Sequence, residues 1–155
     1  MKPKIFPAAR CDLPRLSALE QELFSYDLIS RRQFGYLMTK ANGSIVKAEY
    51  DGELVGYMVL LRRKMSRKLR IYSLGVVESA RKRGIARSLL AYAEFSALRF
   101  NLDHLTLEVC EHNDCAMRLY YYAGFRIYGR KNEYYENGCS ALLLRKSLLP
   151  EEAVQ

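Results

Sequence analysis

Residues 74–90 read LGVVESARKRGIARSLL, and this stretch contains a turn between two apolar segments. Apolar residues up to Val77 are typical of a strand. Ile85 and Leu89 begin the four-residue spacing of a helix that continues to about Phe100. The turn therefore leads from a strand end to a helix N-terminus, where backbone N–H groups are unpaired and carry partial positive charge. Such a turn predicts an anion-binding site.

The residues of this turn suit a ligand that carries several phosphates. Gly84 and Ala86 have little or no side chain to hold a phosphate away from the backbone. Four cations surround them, namely Arg81, Lys82, Arg83 and Arg87. This arrangement fits a pyrophosphate with a further phosphate, as in coenzyme A. The spacing is neither that of a P-loop nor that of the Gly-x-Gly-x-x-Gly dinucleotide motif.

Strands and helices alternate on either side of the turn. Strands are predicted over residues 4–9, 44–50, 54–62, 69–77, 105–109, 125–130 and 140–146. Helices are predicted over residues 12–24, 30–40, 84–100 and 113–123. The order βααβββαβαββ predicts a mixed α/β sheet with a βαβ crossover at its centre. We expect one domain over residues 1–150 and a short tail over residues 151–155.

Local signals define where several of these elements begin and end. Asp12 is placed to cap the first helix, and Ser30 with Gln33 forms a capping-box pattern at the start of the second. Asp51-Gly52 is typical of a two-residue hairpin turn. Gly124 is expected to end the last helix.

The positive charge of the chain is concentrated in one segment. Residues 62–87 contain ten Lys or Arg and one acidic residue, Glu78, whereas the net charge of the whole chain is +8. A basic segment predicts an anionic partner. Besides phosphates at the turn, two interpretations remain open. One is an acidic partner at Arg62–Arg70, and the other is a non-enzymatic RNA- or ribosome-binding module that uses residues 62–87.

Composition excludes several other classes of protein. Half of the residues are hydrophobic, which is enough for one sizeable core, and no apolar run is long enough for a secretory signal or a membrane span. We therefore expect a cytoplasmic protein with no membrane association. None of the cysteines lies in a Cys-x-x-Cys pair, which predicts no metal site and four reduced thiols in or near the core. They are Cys11, Cys110, Cys115 and Cys139.

Two blocks of the sequence resemble the GNAT superfamily of N-acetyltransferases. Residues 74–90 resemble its acetyl-CoA motif, Gln/Arg-x-x-Gly-x-Gly/Ala. Residues 107–135 are similar to the bacterial ribosomal-protein-alanine N-acetyltransferases (RimI) in their Leu-Glu-Val, Asn-x-x-Ala-x-x-Leu-Tyr, Gly-Phe and Tyr-Tyr elements, at matching spacings. The Pro-Trp of those enzymes near the second helix is missing, so the acceptor-facing loop around residues 25–27 differs.

The resemblance implies acetyl-CoA as co-substrate and assigns a role to each matching residue. The backbone of Leu74, Gly75 and Val76 would pair with the pantetheine arm like an added strand. Asn113 would also contact the cofactor. Glu108 matches the general base and Tyr120 the general acid. The pyrophosphate would be held by Arg81, Lys82, Arg83, Gly84, Ile85, Ala86 and Arg87.

The acceptor implied by this resemblance is an amine, most simply the N-terminal α-amine of a protein. Only a neutral amine attacks a thioester, and an α-amine has a pKa near 7.7–8.0 whereas that of lysine is near 10.4. A modest base such as Glu108 therefore suffices for an N-terminus, although a small-molecule amine remains the alternative. Each residue also fits a structural role: Glu108 as a strand-end carboxylate, Tyr120 as a core tyrosine and Asn113 as a helix cap.

Overall fold

A computed structural model describes residues 2–39 and 42–150 of the chain, and its elements follow the predicted order. The strands are β1 (Lys4–Pro7), β2 (Gly43–Tyr50), β3 (Glu53–Arg62), β4 (Lys68–Val76), β5 (His104–Cys110), β6 (Arg126–Lys131) and β7 (Ala141–Ser147). The α-helices are α1 (Leu13–Leu23), α2 (Arg31–Thr39), α3 (Ile85–Arg99) and α4 (Asp114–Tyr122). Short 3-10 turns precede α1 and follow β4. The predicted tail lies outside the described residues.

The helix caps agree with the sequence in two cases and differ in one. Ser30 and Gln33 form the reciprocal pair, since Gln33 N donates to Ser30 Oγ (3.1 Å) and Ser30 N donates to Gln33 Oε1 (2.8 Å). Asn113 Oδ1 accepts from Ala116 N at the start of α4. Asp12 is the N-cap residue of α1 as predicted, but its carboxylate makes no capping bond to this helix, because it accepts from Ala9 N and pairs with Lys47 instead.

The seven strands form one mixed sheet in the order β1-β2-β3-β4-β5-β7-β6. Every neighbouring pair is antiparallel except β4 and β5, which are joined by the crossover helix α3 and run parallel. The parallel pairing ends at Ile71 and Leu107, although both strands continue beyond these residues. The two strands therefore separate in the middle of the sheet, and the edge of β4 that faces β5 is unpaired from Tyr72 onward.

Helices cover both faces of the sheet around this separation. All residues from Val55 to Leu60 of β3 are buried, and successive side chains of a strand point to opposite faces. Tyr57 faces α1 and α2, with its ring 5.9 Å from that of Phe34. The other face packs against α3, whose buried residues are Ile85, Leu89, Leu90, Ala93 and Ala97. Among residues 2–39 and 42–150, no helix is long and apolar enough to cross a membrane.

Candidate active site

A pocket of about 600 Å³ opens where β4 and β5 separate. Glu108 is the first residue of β5 beyond the paired region, and it lines the pocket together with Tyr120 and Asn113. Leu74 of β4 lies on the opposite wall. The structure thus brings together the residues predicted for proton transfer and part of the strand predicted to hold the cofactor arm.

The turn between β4 and α3 presents a run of free backbone donors. Within the described part of the chain, no backbone N–H from Lys82 to Arg87 donates to a protein acceptor. Gly84 is the N-cap of α3 and has a φ of 77°, in the left-handed region that only glycine adopts without cost. A Cβ at Gly84 would meet no atom within 4 Å, so the space in front of the turn is open.

The cations of this turn are exposed, and two of them are held by local contacts. Arg81 donates from Nε to Val76 O (3.1 Å), which braces the turn against the end of β4. The Arg83 guanidinium lies 5.1 Å from the centre of the Tyr50 ring. Ion pairs among the described residues involve none of Arg81, Lys82, Arg83 and Arg87. Free N–H groups and unpaired cations therefore fit the phosphates of a coenzyme A-type ligand.

Glu108 is held in a bidentate ion pair that the sequence did not predict. Arg70 donates from Nε to Glu108 Oε2 (3.1 Å), and its NH2 group lies 2.9 Å from Oε1. The same guanidinium donates to the Tyr134 hydroxyl (3.2 Å). Because β4 and β5 are still paired at Arg70, this residue fixes the carboxylate at the mouth of the separation. Glu108 is therefore a fixed carboxylate rather than a freely exposed one.

Tyr120 and Asn113 enter the pocket from α4. The Tyr120 side chain is 8% exposed, and its ring packs edge-on against that of Phe125. Burial raises the pKa of Tyr120 to about 12, so the hydroxyl remains protonated at neutral pH and can donate a hydrogen bond. Asn113 uses its side-chain oxygen as the cap of α4, which leaves its amide NH2 group available to a ligand.

Two loops form the outer wall of the pocket. One follows α1 and contains Tyr26 and Asp27, and the other joins β6 to β7 and contains Tyr134, Tyr135 and Glu136. Glu136 N donates to Asp27 Oδ2 (3.3 Å), and the rings of Tyr26 and Tyr135 are 5.6 Å apart. Among the described residues, one cation, Arg70, and four carboxyl groups line the pocket, those of Glu20, Asp27, Glu108 and Glu136. This balance favours a positively charged or amine-bearing ligand.

The cysteines differ from the sequence prediction of four reduced thiols in or near the core. Cys110 and Cys139 form a disulfide, with their Cα atoms 6.0 Å apart, whereas Cys11 and Cys115 are free and exposed. The separation of 29 residues between Cys110 and Cys139 does not predict the disulfide, because sequence alone does not determine which cysteines pair. The disulfide joins the end of β5 to the loop that carries Tyr134 and Tyr135.

Glu20 is a pocket residue that the sequence analysis missed. It is 2% exposed on α1, accepts from Ile29 N (2.8 Å) and is hydrogen-bonded to the Tyr57 hydroxyl. Burial raises the pKa of this carboxyl above its usual value, against the opposing effect of the two hydrogen bonds. The signal was present in the sequence, since Glu20 interrupts the apolar face formed by Leu16, Leu19 and Leu23.

We expect Glu20→Gln to remove a pH dependence of stability. Because the folded protein holds the Glu20 proton more tightly than the unfolded chain, wild-type stability should fall as pH rises from about 4.5 toward the higher folded pKa. Gln keeps an acceptor for Ile29 N and does not titrate. As the pH rises from acidic to neutral, the melting temperature of the variant should increase relative to that of the wild type. Glu22→Gln, an exposed change on the same helix, should show no such gain, and a pH-independent difference for Glu20→Gln would contradict the expectation.

Comparisons with known proteins agree with this geometry. The model of the acetyltransferase (GNAT) family matches residues 9–125. An uncharacterized N-acetyltransferase of Methanocaldococcus jannaschii is 32% identical over 136 residues, which is 87% of this chain and 85% of that protein. An N-terminal acetyltransferase complex ARD1 subunit homolog of Dictyostelium discoideum is 32% identical over 76% of this chain and 61% of its own length. The crystal structure of the ribosomal-protein-S18-alanine N-acetyltransferase from Escherichia coli superposes with a TM-score of 0.84 over 99% of both chains, at 18% identity.

Proposed function

Because the chain belongs to the GNAT family of acetyl-CoA-dependent N-acetyltransferases, we propose that it acetylates the N-terminal α-amine of a protein. The observation that carries this proposal is the separation of β4 and β5, which leaves a strand edge, a carboxylate and a phenol around one pocket. The names of the Dictyostelium relative and the Escherichia coli structure support a protein N-terminus as acceptor. A cytoplasmic location stays a prediction.

The proposed cofactor site runs along the unpaired edge of β4 to the start of α3. Leu74, Gly75 and Val76 lie in the part of β4 that is not paired with β5, and their backbone would pair with the amides of the pantetheine arm. The free N–H groups of residues 82–87 and the four cations of the turn would hold the phosphates. Acetyl-CoA supplies the activated acetyl thioester, and the chain orients it toward Glu108.

In the proposed mechanism, Glu108 receives the proton of the attacking amine, directly or through a water molecule. Arg70 donates a hydrogen bond to Oε2 and makes an ion-pair contact with Oε1, and a carboxylate has about four lone-pair sites in all. Glu108 can therefore accept a further hydrogen bond without releasing Arg70. In this role Arg70 is a positioning residue, because it keeps the carboxylate oriented while the amine approaches.

We propose that Tyr120, the predicted general acid, acts by donating a hydrogen bond to the departing sulfur. A thiol has a pKa near 8.5, which makes it a stronger acid than a phenol whose pKa is about 12. Tyr120 thus stabilises the developing thiolate by donating a hydrogen bond, and complete proton transfer is unfavourable at equilibrium. No covalent acyl-enzyme is needed, since the amine attacks the thioester directly.

The acceptor class is tested by release of coenzyme A thiol from acetyl-CoA with three matched acceptors. These are a lysine-free peptide with a free N-terminus, the same sequence with a blocked N-terminus and one lysine, and a mixture of small amines. We expect turnover with the first peptide alone. A protein blank without acceptor corrects for the exposed thiols of Cys11 and Cys115. Turnover restricted to small amines would retain the acetyltransferase chemistry and overturn the proposed acceptor.

A further inference from the structure

A second groove, of about 650 Å³, lies between the β3–β4 hairpin and the C-terminal end of α3. Its floor contains Leu60 and Leu69, and its rim contains the hairpin tip and the last turn of α3. Among the residues that the structure describes, four cations line it and no acidic residue does, which is the opposite of the charge balance in the acceptor pocket. These cations are Arg62, Arg63, Lys64 and Arg99.

The cations of this groove have no carboxylate partner among the described residues. Two other cations of the hairpin have carboxylate partners: Arg67 pairs with Asp103 at 2.6 Å, and Arg70 pairs with Glu108. The tip of the β3–β4 hairpin therefore carries cations without carboxylate partners, unlike Arg67 and Arg70, which are neutralised within the chain. Arg99, from a distant part of the sequence, lines the same groove.

Phosphates bound at the turn before α3 would not neutralise the groove. Arg87 lies in the first turn of α3 and Arg99 is its last residue. With a rise of 1.5 Å per residue, the two Cα atoms are separated by roughly 18 Å along the helix axis. This distance exceeds the Debye length of about 8–10 Å at physiological ionic strength. An anion bound in the groove would therefore be a ligand separate from the cofactor.

The apolar groups of the groove favour a polypeptide over a nucleic acid. Met65 at the hairpin tip is 94% exposed, and Phe100 beyond α3 is 51% exposed. The Arg62 guanidinium covers the Phe100 ring at 4.1 Å, so the face that a base would stack on is already occupied. A flexible methionine beside unpaired cations instead suits an apolar side chain flanked by carboxylates.

We propose that this groove is a docking site for an acidic segment of a protein partner. An apolar side chain of the segment packs beside Met65 and the edge of Phe100, and its carboxylates pair with the four cations of the groove. This inference is independent of the proposed acceptor, because it concerns the opposite end of α3 from the cofactor turn.

The test uses fluorescence anisotropy with a short labelled peptide in which pairs of Glu alternate with Leu. Its N-terminus is acetylated, so that it cannot serve as an acceptor. We expect saturable binding to the wild type, weakened about tenfold or more by the double charge reversal Arg62→Glu with Arg63→Glu. The matched control is Arg10→Glu with Arg15→Glu, which changes the net charge equally at exposed residues outside both pockets. Its affinity should remain within about twofold of the wild type.

Three results would overturn the docking site. Equal loss of peptide binding in both double variants, or no binding to the wild type, would show that the groove has no specific role. Tighter binding of a uridine oligonucleotide with the same net charge would assign the groove to nucleic acid. Acetyl transfer should be retained in both double variants, which confirms that each is folded.

Discussion

Glu108→Gln should lower kcat by about 10²–10³-fold, with little change in the KM for acetyl-CoA. The substitution keeps the size of the side chain and one acceptor for Arg70 but removes the base. Removal of a positioned general base typically costs a factor in this range. Steady-state kinetics with saturating acetyl-CoA and a free N-terminal peptide provide the measurement.

A matched pair nearby separates catalysis from simple loss of an ion pair. Glu111 lies one residue beyond the end of β5 and pairs with Arg130, both of its oxygens lying 3.0 Å from guanidinium nitrogens. Glu111→Gln breaks a comparable pair outside the pocket lining, and it should leave kcat within about twofold. Equal losses in Glu108→Gln and Glu111→Gln would show that Glu108 has only a structural role.

Gly84→Val should raise the KM for acetyl-CoA by about 10²-fold and lower the melting temperature. A β-branched residue is strained at a φ of 77°, and its side chain would occupy open space at the turn that carries the free N–H groups. Charge-assisted hydrogen bonds contribute about 1.5–3 kcal/mol each, so displacing one or two phosphate contacts accounts for this loss. Isothermal titration with coenzyme A measures the affinity directly.

The control for backbone strain is Gly52→Val in the β2–β3 hairpin. Gly52 has a φ of 78°, and a Cβ there would also meet no atom within 4 Å. The two substitutions therefore impose the same local strain, one at the turn and the other away from it. We expect similar decreases in melting temperature, with weaker binding of coenzyme A for Gly84→Val alone. If Gly52→Val weakens binding equally, the effect comes from stability rather than from the turn.

The element order was predictable because short-range signals coincide with the pattern of the core. The hairpin at Asp51-Gly52, the capping box at Ser30 and the cap at Asn113 each depend on residues within four positions of one another. The separation of β4 and β5 could be placed only through a family resemblance. Nothing local in the two strands shows where their pairing ends.

The parts of the site that escaped prediction are contacts between residues distant in the sequence. Arg70 and Glu108 are 38 positions apart, and Glu20 and Tyr57 are 37 apart. When only the neighbouring residues in the sequence are considered, charged residues such as these are predicted to be exposed to solvent. The basic segment is the clearest case, because only the fold distinguishes Arg67 and Arg70, which are paired internally, from the free cations beside them.

The disulfide between Cys110 and Cys139 makes the chain a closed covalent ring over this part of its length. The ring contains all of α4 and β6, and with them Tyr120, Tyr134 and Tyr135. A ring of this size removes enough freedom from the unfolded chain to favour folding by about 3.5 kcal/mol. A single peptide-bond cut within it would leave the two ends joined, so the phenol and the tyrosine wall would remain tethered to the strand that carries Glu108.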